Sequence, residues 1–207
     1  LRLLDFSEAV NDTVGGIPVA VTYCPLCASA AVFDRRVGDE VLEFGISGLL
    51  YNSNVLLYDR QQTQPESLWS QIMGQSISGS KTPRTLKMLP VEVTTWPDWK
   101  SRHPKGQVLL TKKSESESPY KSYYGDPQRI QFPVNHSDSR LPLKELVLGI
   151  KTKNAARAYP LSRFQHLTSD TEIQDVIDGL NVTFVYQPQS RSLRVTKFDD
   201  GLEWMYA

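Results

Sequence analysis

The chain has 207 residues, with 23 Lys plus Arg against 23 Asp plus Glu, so its formal charge cancels. A protein that wraps nucleic acid or binds a membrane surface through basic residues needs an excess of positive charge, and this composition excludes both. At 40% hydrophobic and 22% charged residues the chain can bury a core, and no apolar run approaches the roughly 20 residues of a membrane-spanning helix.

In chain order, residues 1–10 are expected to form a short helix, and 11–16 (Asn-Asp-Thr-Val-Gly-Gly) supply turn residues. Residues 17–24 read as a buried strand rich in β-branched and aromatic side chains. Segments 31–37 and 40–46 flank Gly38-Asp39 as a hairpin, and 48–51 and 55–60 form a second pair around Asn52-Ser53. Residues 67–72 fit either a strand or a helical turn. Segment 88–95 reads as a strand and 97–103 as a short helix stopped by Pro104. Residues 112–119 are polar and predict an exposed loop within a linker over 111–140. Beyond it, 146–151 and 155–159 pair around Lys153-Asn154. Segment 160–167 suits a helix with Pro in its first turn, and 182–186, 192–198 and 202–207 are strand-like. The expected fold class is α+β, mostly β, with a few short helices. Leu1 in place of an initiator Met, and an apolar end at Ala207, suggest a piece of a longer protein.

An internal repeat is expected at an offset of 163. Asp12, Gly16, Val19, Tyr23, Pro25, Ser29 and Val32 recur as Asp175, Gly179, Val182, Tyr186, Pro188, Ser192 and Val195, seven identities in twenty-one positions. This predicts two related β-rich units: 1–110, carrying the cysteines, and 141–207, packed on the first and incomplete, with the 111–140 linker between them.

The cysteines form a single motif, Cys24-Pro-Leu-Cys27. Ala28 stands where c-type haem attachment requires His. A thioredoxin-like site needs a substantial helix after the first Cys, whereas 28–37 alternates like a strand. Zinc needs four ligands, and His103, His136 and His166 have no ligand spacing. A local disulfide closing so short a loop contributes only about 2 kcal/mol. The repeat carries Gln187 and Ser190 at the equivalent places, so the unit folds without sulfur there, which favours a functional pair. Redox exchange, soft-metal binding (copper or zinc) and a structural disulfide remain the three readings, with no other cofactor expected.

A second cluster, Tyr51, Asp59, Arg60, Trp69 and Gln71, together with Tyr23, has the residue types of a polar pocket with aromatic walls. The plainer reading makes Asp59-Arg60 an exposed pair at a strand end and Trp69 a core residue, with Trp96 and Trp99 capping the core. No phosphate-binding Gly-rich loop, G-x-S-x-G or H-E-x-x-H occurs.

Val10-Asn-Asp-Thr-Val-Gly-Gly16, Val21-Thr-Tyr-Cys-Pro-Leu-Cys27, Phe44-Gly-Ile-Ser-Gly-Leu-Leu-Tyr-Asn-Ser53, Tyr58-Asp-Arg60 and Ser67-Leu-Trp-Ser-Gln71 together resemble an uncharacterised, largely bacterial family, DUF3179. Val147-Leu-Gly-Ile150 and Ala158-Tyr-Pro-Leu161 extend the likeness over nearly the whole chain. The resemblance implies an exported location, periplasmic or secreted and often lipid-anchored, which would place both thiols in an oxidising compartment. The family commonly has Trp-His-Glu where this chain has Phe6-Ser7-Glu8, and Gly where it has Ala28. If that His serves as a metal ligand or acid–base group in relatives, Ser7 cannot replace it. The expected function is an exported binding or redox-accessory module centred on Cys24 and Cys27, its partner a small molecule or protein and not nucleic acid. The alternatives are a non-catalytic assembly subunit and a soft-metal carrier.

Overall fold

The computed structural model describes residues 2–61, 65–109, 117–136 and 138–207. They fall into two compact units, Leu1–Leu89 with Leu110–Lys144, and Pro90–Leu109 with Glu145–Ala207. Both are β-rich.

The first unit opens with a helix, Arg2–Ser7, followed by strands β1 (Ala9–Val14), β2 (Ile17–Cys24) and β3 (Ser29–Asp34). These form an antiparallel meander running from Val14↔Ile17 to Cys24↔Ser29. The helix is shorter than expected because Glu8, at φ 54°, turns the chain out of it. The expected turn over 11–16 contracts to Gly15-Gly16, whose φ values of 58° and 80° suit a two-residue hairpin. Asn11 stays in the strand because its side chain bonds elsewhere. Its amide donates to the Phe44 carbonyl at 2.8 Å and its oxygen accepts the Phe44 N–H at 2.9 Å.

A two-residue hairpin, β4 (Arg36–Val37) with β5 (Glu40–Val41), turns at Gly38-Asp39. A second meander follows: β6 (Phe44–Tyr51), β7 (Asn54–Asp59), β8 (Leu68–Ser70) and β9 (Gln75–Ser78). The ambiguous 67–72 segment resolves as a strand, with Trp69 fully buried edge-on to Phe44 at 5.6 Å between ring centroids. The strand expected over 88–95 is reduced to β10 (Met88–Leu89), which pairs with β3. Of the expected loop over 112–119, residues 112–116 lie outside the described residues. The described remainder leads into a one-turn helix, Lys121–Tyr124, whose Tyr123 is buried.

In the second unit the helix Trp96–Arg102 buries none of its residues. The expectation that Trp96 and Trp99 cap the core is therefore corrected: Trp96 is 53% exposed and stacks on Trp99 at 5.5 Å. The helix is held instead by charge, with Arg102 bonding Asp98 one turn away at 2.6 Å and also Glu92. Strands β11 (Val147–Lys151) and β12 (Ala156–Pro160) pair as expected, and 161–164 form a single 3-10 turn. β13 (Thr171–Ile177), β14 (Leu180–Gln187) and β15 (Ser192–Phe198) make a meander, and β16 (Glu203–Tyr206) pairs with β11. Its core gathers Leu148, Ile150, Phe184, Leu193 and Trp204.

The β13–β15 meander has pairs Ile177↔Leu180 and Gln187↔Ser192, each 163 positions beyond Val14↔Ile17 and Cys24↔Ser29. A bulge at Thr183/Phe184 breaks the correspondence toward the far end of β15. Left-handed residues also fall at the same places: Ala28 (φ 50°) and Arg191 (φ 49°), Gly16 (φ 80°) and Gly179 (φ 79°).

Candidate functional site

Cys24 ends β2, Cys27 lies in the four-residue turn, and Ser29 opens β3. The turn closes through Ala28 in the left-handed region, a conformation that costs a residue with a Cβ about 1 kcal/mol. Among the described residues of this unit, the other non-glycine residues at positive φ are Glu8, Asn52 and Ser53. All three border the cysteine turn or carry a residue that does. The Asn52-Ser53 turn delivers Asn54, whose side-chain amide donates to Cys27 Sγ at 3.2 Å. The Ser53 carbonyl lies 3.9 Å from Cys24 Sγ. Such strain persists only where surrounding structure over-determines it, and it gathers at functional sites.

Both cysteines are free thiols, and their environments are opposite. Cys24 is fully buried, while Cys27 is half-buried. The Cys24 thiol bonds the Cys27 sulfur and is desolvated, and both effects push its ionisation far up. Cys27 receives that bond, together with bonds from Ser29 and Asn54, and these outweigh burial and hold it below the ordinary thiol value. Ser29 Oγ is 3.1 Å from Cys27 Sγ and also donates to Gln71 Oε1 at 2.8 Å. One hydroxyl proton cannot serve both acceptors, so the Ser29 hydroxyl can turn to the sulfur when Cys27 ionises.

Gln71 fastens this shell in place. Its oxygen accepts from Ser29 and Asn54, each at 2.8 Å, and its amide donates to Thr22 Oγ1 at 3.1 Å and the Ser29 carbonyl at 3.3 Å. A buried polar network satisfied at every member fixes its geometry.

Beside Cys24 is a cavity of about 230 Å³. Leu26, Ile46, Leu49, Leu50 and Phe132 give it apolar walls, and Glu8, Tyr120 and Gln131 give it polar ones. A register shift in β6 between Ile46 and Leu50 brings Leu49 and Leu50 to its rim. Tyr120 Oη donates to Glu8 Oε1 at 3.4 Å, and burial raises the Glu8 carboxyl above its ordinary range. Tyr123 Oη donates to the Leu26 carbonyl at 2.7 Å, and Tyr124 Oη to Asp5 Oδ1 at 2.6 Å, which ties the 120–124 segment to the cysteine turn and the first helix.

Of the residues named from sequence, the structure brings Gln71 into the shell around Cys27. Tyr23 is buried on β2 beside Cys24, its hydroxyl raised first by burial. The others lie elsewhere. Asp59 is fully buried, accepting from Ser67 N at 2.5 Å and Trp69 Nε1 at 3.1 Å, so it is not the exposed member of an Asp59-Arg60 pair. Arg60 is exposed and bonds Glu43 at 2.6 Å. Tyr51 is 48% exposed and does not line the cavity. Glu8, Ser29, Asn54 and Tyr120 were missed as site residues. Glu8 adjoins the motif Val10-Asn-Asp12 in sequence, but nothing local marks Asn54 or Tyr120, which reach the site through a hairpin turn and a distant segment.

Two sulfurs are the soft donors here. Among the described residues no group of three or more His, Cys, Asp or Glu could hold a metal ion. Among them, too, no helix is long and apolar enough to cross a membrane. A family model described as protein of unknown function (DUF3179) matches residues 1–203. No curated protein and no solved structure matches the chain.

Proposed function

We propose, for a chain that belongs to the DUF3179 family, that its first unit is a thiol–disulfide exchange module in which Cys27 attacks and Cys24 resolves. The observation that carries this is the inequality of the two sulfurs: Cys27 is half-buried with Ser29 Oγ at 3.1 Å and Asn54 Nδ2 at 3.2 Å, whereas Cys24 is fully buried with the Ser53 carbonyl at 3.9 Å. The thiolate is the nucleophile in exchange, and attack is fastest from a thiol that ionises near ambient pH. In the forward step the Cys27 thiolate attacks a partner disulfide, R–S–S–R′. A Cys27–S–S–R bond forms and R′S⁻ leaves. Cys24 then loses its proton and attacks the Cys27 sulfur, so that RS⁻ leaves and the Cys24–Cys27 disulfide forms. Two electrons pass from the dithiol to the partner, and the reverse sequence oxidises a partner dithiol.

The cavity is lined by Cys24, Pro25 and Leu26 of the turn and not by Cys27, so it would take an apolar group of the partner next to the turn rather than the disulfide itself. Its 230 Å³ is below the roughly 300–1,000 Å³ of sites for drug-sized ligands and suits a single side chain. The β14–β15 turn supports the reading too, because Gln187 and Ser190 stand where the cysteines would be and the hairpin forms without them. An extracytoplasmic location belongs to the same proposal, since there the pair would meet oxidised partners. A Cu(I) ion held by both thiolates is the reading that a two-sulfur donor set leaves beside it, and stoichiometric copper in protein purified without chelator would favour it.

The test is mass mapping of the first adduct that the reduced native protein forms with a substoichiometric aromatic disulfide. The exchange reading expects the adduct on Cys27, followed by an intramolecular disulfide. Adduct first on Cys24, or no reaction before unfolding, would overturn it.

A further inference from the structure

A dithiol and its disulfide differ in what they ask of their surroundings. The sulfurs of a disulfide carry no charge and accept hydrogen bonds weakly. A thiolate accepts them strongly, and a bond to an ionised acceptor is about twice as strong as one between neutral groups. Donors fixed beside one sulfur therefore favour the reduced pair over the oxidised one.

Two donors are fixed beside Cys27. Asn54 Nδ2 lies 3.2 Å from Cys27 Sγ, and Ser29 Oγ lies 3.1 Å from it. The Asn54 side chain is anchored at both ends: its oxygen accepts the Ile72 N–H at 3.0 Å, and its amide also donates to Gln71 Oε1 at 2.8 Å. The turn before it is fastened through Asn52 Oδ1, which accepts the Asn135 N–H at 3.0 Å. Asn54, Ser29 and Gln71 are all buried, which keeps water out of the shell.

The shell also has a proton to spare. Gln71 Oε1 accepts from both Ser29 and Asn54. When the Ser29 hydroxyl turns to a thiolate, the bond from Asn54 remains and no buried acceptor is stranded. When Cys27 is in a disulfide, the hydroxyl returns to Gln71, and the second Asn54 N–H has Ser29 Oγ at 3.4 Å. The shell is satisfied in both states and gains only in the thiolate state. The Cys24 thiol, the first cause of the lowered Cys27 ionisation, is likewise a donor in the reduced pair alone.

We infer that the oxidised Cys24–Cys27 pair takes electrons from partner dithiols, because Asn54 and Ser29 stabilise the Cys27 thiolate that forms when the disulfide opens. This rests on the exchange reading above and gives it a direction and a substrate class, proteins or peptides carrying two reduced cysteines. A partner thiolate attacks Cys27 Sγ, the Cys24–Cys27 bond breaks, and Cys24 is the leaving group. The second partner thiolate then attacks the partner sulfur of the mixed disulfide. The partner disulfide forms, and Cys27 leaves as a thiolate into the Ser29–Asn54 shell. Two electrons pass from the partner to the pair; of the partner's two protons, one ends on Cys24 and the other in solvent. A thiol that ionises readily leaves faster, so the same donors speed the second step.

The experiment equilibrates the full chain in about 10 mM glutathione and about 1 mM glutathione disulfide, a poise near that of an oxidising secretory lumen. The pair is read by mass after alkylation. More than half of the wild-type chain should be dithiol. Asn54→Asp keeps the oxygen that accepts the Ile72 N–H and sets an acceptor where the donor stood. It should shift the equilibrium toward the disulfide by about tenfold or more, about 30 mV for a two-electron couple. Ser29→Ala should shift it the same way by about threefold, and it carries the test if Asn54→Asp does not fold. A wild-type pair that stays mostly disulfide in this buffer, or an equilibrium unmoved in the folded variant, would overturn the inference; reversible exchange with glutathione would still leave the exchange reading standing. A wild-type chain that does not exchange with glutathione at all would remove both.

Discussion

In the turn between β2 and β3, Cys27 Sγ lies 3.1 Å from Ser29 Oγ and 4.0 Å from the Cys24 carbonyl. In the turn between β14 and β15, Ser190 Oγ lies 2.7 Å from Ser192 Oγ and 3.5 Å from the Gln187 carbonyl. The left-handed residue that follows is Ala28 in one and Arg191 in the other. The closing pair, the left-handed position and the local polar contact correspond in the two turns, so a four-residue turn of this register forms with serine at the place that Cys27 takes in the first. What differs is the surroundings. The Cys27 side of the first turn faces Asn54 and the Gln71 network. In the second, Gln187 accepts from Arg194 and donates to Asp98, both at 3.3 Å. The sulfur therefore goes with an elaborated environment and not with the fold of the turn.

The largest effect that would sharpen this contrast is on exchange. Cys27→Ser should reduce the rate of reaction with an aromatic disulfide by at least about 100-fold, while equilibrium unfolding changes by no more than about 1 kcal/mol, because Ser190 already occupies the matching place. A loss of several kcal/mol would mean that the sulfur holds the turn together. Gln71→Ala should cost about 2–4 kcal/mol in urea unfolding, since it strands the buried groups of Ser29, Asn54 and Thr22. A cost below about 1 kcal/mol would show that the network is not what orders the first turn.

A smaller effect concerns pH. The bond from Cys24 is the leading cause of the lowered Cys27 ionisation, so Cys24→Ala should move the midpoint of Cys27 alkylation up toward the ordinary thiol value, and Asn54→Ala should move it less. The linkage signs follow. A lowered Cys27 stabilises the fold above the ordinary thiol range, and this is lost as pH falls through the lowered value. A raised Cys24 contributes below that range and loses its contribution as pH rises through its own value. A midpoint unmoved in Cys24→Ala would contradict the coupling. The smallest effect is conformational: Ala28→Gly and Arg191→Gly should each stabilise by about 1 kcal/mol in thermal unfolding, being relief of the same left-handed backbone. Opposite signs at the two positions would show that the turns are not equivalent.

Much of the β architecture was legible in the sequence, because it is written in local signals. The residues of β2, the hairpin turns at Gly38-Asp39 and Asn52-Ser53, and the pairing of β11 with β12 follow from β-branched runs broken by turn residues. Elements went unread where a tertiary partner decided the outcome. β1 was hidden because Asn11 and Asp12 look like turn residues until Phe44 takes up the Asn11 side chain. The helix at Lys121–Tyr124 is one turn long and has no periodicity to display. The candidate site was legible only as far as Cys24, Cys27 and Gln71. Asn54 and Tyr120 lie 27 and 93 residues from Cys27 along the chain, and only folding brings them near. Arg60 and Tyr51 had the right chemistry for a pocket, but Tyr51 at the end of β6 and Arg60 just past the end of β7 face solvent.

The most direct measurement is the equilibrium of the Cys24–Cys27 pair against graded glutathione buffers, read by mass after alkylation. A pair that serves exchange should be half-reduced at a potential above about −300 mV and should cycle reversibly with the fold intact. A pair locked as a disulfide well below that potential would be a structural staple, and thiol–disulfide exchange would not be the work of this turn.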